Sequence, residues 1–363
     1  MMRWLMGLAL LVIPASAGAQ DFKAEWARMV EAANQEGEIV MQSQPFQTAR
    51  EFLLREWPKA YPKIKLNLSV LPEPQFWARI RTERAAGKYL WDMAVSGAST
   101  GYTLSKEGIV DPLMPELVDP AVNKPELWGG WDEAFMDLEK KYVLSISSFI
   151  ASPFYNAAHV PPEQVKRLGI KAMLDPAYAG KIYWLEPTLP GGGRTLAQLL
   201  HAQLGEDGLR KLLIDQKTVL VAQQQQVVEA MARGTAWIGI LPSVRGLIGP
   251  YVQAGVKIDD LRTFGNTPET GVLSISGAGV YVFNRRPHPN ATRVFINWLL
   301  SKDVQYGFAV ATAQASRRQD VPHAGDPETK PIRGAKYITP QREENQAAQD
   351  KVLALIAEIK KAR

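Results

Sequence analysis

The segment Gly180 to Leu204 reads Gly-Lys-Ile-Tyr-Trp-Leu-Glu-Pro-Thr-Leu-Pro-Gly-Gly-Gly-Arg-Thr-Leu-Ala-Gln-Leu-Leu-His-Ala-Gln-Leu. Ile182 to Leu185 is a short apolar run of strand-forming residues. Pro187, Pro190 and Gly191 to Gly193 fit neither a strand nor a helix interior and predict a loop. Beyond it Leu196, Leu199, Leu200 and Leu204 recur at helical spacing. The order is strand, glycine-rich loop, helix. In open α/β sheets, ligands bind where strand carboxyl ends meet helix N-termini, whose free N–H groups favour negative charge. Glycine permits close backbone approach, and Arg194 adds a planar donor fork. A plain turn with a solvated arginine is the alternative reading of the same residues.

The surrounding chain repeats the alternation. Helical patterns at Glu25 to Asn34, Ala49 to Trp57 and Gln75 to Ala86 alternate with strand patterns at Ile39 to Met41, Ile64 to Val70 and Trp91 to Val95. Another helix runs up to Gly108. After a proline-rich stretch, Asp111 to Trp131, Tyr142 to Phe149 reads as a strand, and a domain crossing is expected near Ser147 to Asn156. Then come the strand at Ile182, its loop and helix, and a helix at Asp207 to Leu213. A strand at Thr218 to Ala222, a helix ended by Gly234 and a strand at Ala236 to Leu241 follow. Val272 to Phe283 is strand-like, Ala291 to Leu300 is helical, and Val352, Leu355, Ile356 and Ile359 mark a C-terminal amphipathic helix. Alternating strands and helices predict an α/β fold with parallel crossovers.

With 363 residues, 46% hydrophobic and 22% charged, the chain has room for two domains. Arg3, the apolar run Trp4 to Ile13 and the small residues Ala15, Ala17 and Ala19 form the three regions of a secretory signal peptide, expected over 1–19. The run is short for a membrane span. There is no cysteine, hence no disulfide and no thiol for lipid attachment. The mature protein is expected in the periplasm. The formal charge is +5, but the basic residues are scattered, without a stripe interleaved with aromatics, which argues against nucleic-acid binding.

Six segments in register carry a family resemblance. They are Asn34 to Val40 (Asn-Gln-Glu-Gly-Glu-Ile-Val), Trp91-Asp92-Met93-Ala94, Gly108 to Leu113 (Gly-Ile-Val-Asp-Pro-Leu), Asp175 to Ile182 (Asp-Pro-Ala-Tyr-Ala-Gly-Lys-Ile), Val228 to Gly234, and Ser276 to Val280 leading into Ala291 to Ser301. Together they resemble the solute-binding proteins of ABC transporters, in the class that includes ferric-ion and polyamine binders. The resemblance implies a two-domain periplasmic-binding-protein fold of type II, with the ligand cleft between lobes. The lobes are expected at 20–148 plus 273–318 and at 149–272 plus 319–363. It further implies a monomer that closes on a small-molecule solute by hinge motion and delivers it to a membrane permease driven by an ATPase.

Enzyme motifs are scarce: His-Glu-x-x-His, Gly-x-Ser-x-Gly and the phosphate-binding Gly-x4-Gly-Lys-Ser are all missing. No catalytic residue, metal ligand or cofactor is assigned, and a secreted hydrolase is the alternative of a different class. Ferric-binding relatives carry paired tyrosines where this chain has Ile240-Leu241-Pro242-Ser243, and a carboxylate where it has Ser96-Gly97-Ala98-Ser99. Iron transport would therefore need a site without the tyrosine pair. What occupies these places is polar and uncharged: Ser43, Gln44, Ser96, Gly97, Ser99, Thr100 and Ser243. With Gly191, Gly192, Gly193, Arg194 and Thr195 they make a candidate set for a small polar or anionic solute, although serines at such ends also serve as ordinary caps. Glu186 is expected either to meet a solute cation or to pair with Lys181 or Arg194. Phe76, Trp77, Trp184 and Trp237 either wall the cleft or belong to the core.

Overall fold

The computed structural model describes residues 17–43, 47–189, 192–243, 251, 260–275, 277–324, 327–332 and 334–362. Most of the expected leader, and the site candidates Gln44 and Gly191, lie outside the described residues. In chain order the strands are β1 (Glu38–Ser43), β2 (Lys65–Ser69), β3 (Met93–Ser96), β4 (Val110–Asp111), β5 (Leu144–Ser145), β6 (Ser147–Ala151), β7 (Phe154–Asn156), β8 (Ile182–Leu185), β9 (Val219–Val221), β10 (Ile238–Ile240), β11 (Leu261–Thr263), β12 (Val272–Ser274), β13 (Gly279–Phe283) and β14 (Ala315–Ser316). The helices are α1 (Ala17–Glu36), α2 (Gln47–Ala60), α3 (Glu73–Ala85), α4 (Ala98–Lys106), α5 (Trp131–Ala134), α6 (Pro162–Leu168), α7 (Ala197–Leu213), α8 (Gln224–Ala232), α9 (Pro289–Leu299), α10 (Lys302–Thr312) and α11 (Gln346–Lys361). Among the described residues no helix is long and apolar enough to cross a membrane.

The first sheet has the order β2-β1-β3-β13-β4, with β5 also on β13. Its β1 runs parallel to β2 and β3, and β13 returns antiparallel to β3. Because strand side chains alternate, one face presents Ile39, Met41, Met93, Val95 and Val280 to Phe52, Trp57, Phe295 and Leu299 of the helices. The other presents Ala94, Tyr281 and Phe283 to Phe76, Ile80, Tyr102 and Leu104. Each large apolar side chain buried this way stabilises by about 1.5–3 kcal/mol. Both faces are covered, as crossover helices require.

The second sheet has the order β11-β7-β10-β8-β9. Here β8 is parallel to β9 and β10, while β7 is antiparallel to β10. Ile182, Trp184, Ile238 and Ile240 pack on Leu199, Leu200 and Leu212 of α7 and on Val352, Ile356 and Ile359 of α11. Val227, Val228 and Met231 of α8 cover the other face. A third sheet, β12-β6-β14, is antiparallel throughout. Its strands lie where the chain passes between the other two sheets: β6 after β5, β12 before β13, and β14 between α10 and α11.

Two expected strands are each divided. Tyr142 to Phe149 becomes β5 and β6, which join different sheets on either side of Ile146, whose N–H donates to the Ala278 carbonyl at 3.0 Å. Val272 to Phe283 likewise becomes β12 and β13. Within the span of α7 the backbone leaves helical geometry at Gly205, whose φ of 69° only glycine adopts readily, so the helix expected from Asp207 to Leu213 stands as a separate segment after that break. Gly234, at φ 72°, ends α8 as expected.

Candidate functional site

The carboxyl ends of β1, β3, β8 and β10 carry the candidate residues. On the first sheet, Ser43 is buried and its hydroxyl has no hydrogen-bond partner. Ser96 is buried at the end of β3, Gly97 is the N-cap of α4, and Ser99 is half-buried.

A residue outside the expected set occupies this place. Glu73, at the first position of α3 between Pro72 and Pro74, lays its carboxylate over Gly97 so closely that a Cβ there would overlap it. Proline and glutamate both suit a first helical turn, and that position directs Glu73 to the start of α4. Burial pushes the Glu73 carboxyl above the usual carboxylate range, opposed by the Thr100 hydroxyl and the Gly97 N–H. Tyr281, fully buried beneath, is held far above its ordinary range by burial and then by the Glu73 charge, opposed by Ser96. The carboxylate that the 96–99 loop lacks in its own sequence is thus supplied from 24 residues upstream, laid against Gly97.

Tyr102 and Lys106 lie one turn apart on α4. Lys106 forms an ion pair with Glu343. The Tyr102 hydroxyl is buried without a hydrogen-bond partner, and its phenol is pushed well up by burial and then by the charges of Glu343, Asp350 and Glu73. The segment that carries Glu343 and Asp350 also reaches the β8 loop. Gln349 Nε2 donates to the Arg194 carbonyl at 3.0 Å, and Gln198 Nε2 donates to the Asn345 carbonyl at 2.9 Å. Residues 343–350 therefore join the end of α4, at Lys106, to the glycine loop.

In that loop, Gly192–Leu196 forms a 3-10 turn before α7. Gly193 is buried; a Cβ there would lie 2.5 Å from the Glu186 carbonyl oxygen, and its own carbonyl accepts from Trp184 Nε1 at 3.1 Å. A Cβ at Gly192 would lie 2.8 Å from Pro242 Cγ. Close approach to neighbouring protein groups is what requires these two glycines. Thr195 is buried, and Ser243 is partly buried and engaged.

Glu186 differs from both expected pairings. Lys360 on α11 holds it at 2.7 Å, and the Thr188 N–H donates to it at 3.1 Å. Burial alone would raise its carboxyl, but Lys360 and Thr188 together bring it below the usual range. Lys181 instead lies 5.3 Å above the Trp237 ring. Arg194 is partly exposed, its Nε is enclosed without a partner, and no carboxylate among the described residues pairs with it. Phe76 and Trp184 are core residues, and Trp237 stacks on His159 with centroids 4.8 Å apart. Sequence reasoning missed Glu73, Tyr102, Glu343 and Asp350. The Pro-Glu-Pro at the start of α3 was the one local signal.

The sequence matches the bacterial extracellular solute-binding protein family over residues 49–335, and the chain belongs to that family. No curated protein sequence matches it. Several solved structures are similar in fold. Iron-bound HitA from Pseudomonas aeruginosa is 14% identical, with a TM-score of 0.64 over 89% of this chain and 99% of that one. The Trichodesmium protein IdiA (FutA), in complex with iron and citrate, is 17% identical with a TM-score of 0.66 over 89% and 99%. AfuA from Actinobacillus pleuropneumoniae, bound to fructose-6-phosphate, is 17% identical with a TM-score of 0.55 over 89% and 97%. The fold is that of two-domain periplasmic binding proteins with a cleft between lobes. This is a solute-binding protein of the type that serves ABC importers.

Proposed function

We propose that the chain captures a small solute bearing an acidic group, with Arg194 and the Gly192–Thr195 turn holding that group in the cleft. The observation that carries this reading is the partly exposed Arg194 guanidinium, which stands in the 3-10 turn after β8 without a carboxylate partner among the described residues. Guanidinium binds carboxylate or phosphate through two parallel hydrogen bonds. The competing use of Glu186 by Lys360 leaves Arg194 available. Ser43, Ser96 and Ser99 border the first-lobe side, with Ser243 and the missing tyrosine pair favouring an organic solute over bare ferric iron.

The reading extends to the chain's itinerary. The leader over 1–19 is removed on export, the mature monomer works in the periplasm, and the loaded form docks on a permease with its ATPase. It performs no chemistry on the solute. Lobes at 20–148 plus 273–318 and at 149–272 plus 319–363 fit the three-stranded sheet of β6, β12 and β14, which would act as the hinge.

Calorimetry on Arg194→Ala, with the solute recovered from the protein itself, tests the proposal. Leaving one member of a buried charge pair unpaired costs about 2–5 kcal/mol, at least about thirtyfold in affinity. Arg194→Lys should recover part of it, since an ammonium cannot make the same fork. An affinity within twofold of wild type removes the arginine from the site.

A further inference from the structure

The start of α4 has the features of an anion site: it opens a nine-residue helix, has glycine at its N-cap, and lies at the carboxyl end of β3. It is already filled by the protein's own anion, Glu73. Glu343 and Asp350 add negative charge around Tyr102, in the middle of α4, and Lys106, at the last residue of that helix, is paired with Glu343. An independent observation points to a ligand group: Tyr102 is 4% exposed, its hydroxyl has no hydrogen-bond partner, and the phenol stands in the field of all three carboxylates. A buried phenol left unpaired costs free energy that a bound hydroxyl or amine would relieve.

We infer that Glu73 sets the polarity of the cleft: it fills the anion-attracting start of α4, so the solute lies with its acidic group toward Arg194 and an uncharged or positively charged polar group toward α4. The substrate class is then a small acid carrying a hydroxyl or amino group at its other end, rather than a compound acidic at both ends. This rests on the cleft reading above. It treats Glu73 as a residue that determines specificity by exclusion, since like charge juxtaposed on the solute would be repelled.

The test uses inorganic phosphate as the probe anion. Thermal unfolding of the full mature chain is followed against phosphate at matched ionic strength, for wild type, Arg194→Ala, Glu73→Ala, and Glu73→Ala combined with Arg194→Ala. Removing Glu73 should open a phosphate site at α4, giving at least tenfold tighter apparent binding in the double variant than in Arg194→Ala alone. Equal responses in those two proteins overturn the inference. The comparison of wild type with Arg194→Ala reports separately on the second-lobe reading, so either can fail alone. Gly97→Ala supplies the control for loosened structure, because its Cβ displaces the carboxylate while Glu73 remains in the chain. Made in the Arg194→Ala background, it keeps the negative charge beside α4 and must show no such gain in phosphate response; an equal gain there also overturns the inference.

Discussion

Replacing Lys360 with alanine should loosen α11 from the second sheet. The Lys360 Nζ to Glu186 Oε2 distance is 2.7 Å, and the two side chains are 29% and 14% exposed. A hydrogen bond to a charged group contributes about 1.5–3 kcal/mol, whereas a solvent-exposed ion pair contributes about 0–1 kcal/mol. Partial exposure, and the Thr188 N–H that remains on Glu186, place the loss at about 1–2 kcal/mol. The pH dependence has a definite sign. Glu186 is held below the usual carboxylate range in the folded protein, so its contribution is present above the unfolded value and disappears as pH falls through the folded one. Urea unfolding followed by tryptophan fluorescence, run as a double-mutant cycle with Glu186→Gln, measures the coupling. The gap between wild type and Lys360→Ala should be full at pH 7 and close on acidification. A coupling below about 0.3 kcal/mol, unchanged with pH, would refute the pairing and return Glu186 to the solute.

Two further outcomes follow from the same loops. Gly193→Ala should destabilise the second lobe by about 1–3 kcal/mol through overpacking against the Leu185 and Glu186 carbonyls, measurable by urea unfolding; a neutral effect would mean the loop has slack. Glu73→Gln should be at least as stable as wild type at pH 7. Burial raises the folded Glu73 carboxyl, so the stability it contributes is full below the unfolded value and lost as pH rises through the folded one; the variant's advantage should therefore shrink on acidification, and a variant less stable at pH 7 contradicts this.

The α/β alternation was legible because it rests on local periodicity, whereas the two-lobed class came from the family resemblance of the six segments. Ile182 to Leu185 and the C-terminal helix are where the apolar pattern puts them. The divided strands were not legible, because an apolar run does not state which sheet each half joins. That depends on partners far along the chain, such as Ala278 for Ile146. The site failed for the same reason. Glu186 meets a lysine 174 residues away, and Glu73 covers a glycine across an intervening helix and strand. The glycine run was visible, but sequence alone could not separate close approach to a ligand from close approach to the Leu185 and Glu186 carbonyls.

Mass spectrometry of whatever is released by denaturing the protein, purified from the periplasm of cells that express it, tests the central claim most directly. The account predicts one small organic acid in stoichiometric amount, with a hydroxyl or amino group distant from the acid. Stoichiometric ferric ion, or an organic cation without any acidic group, would contradict it.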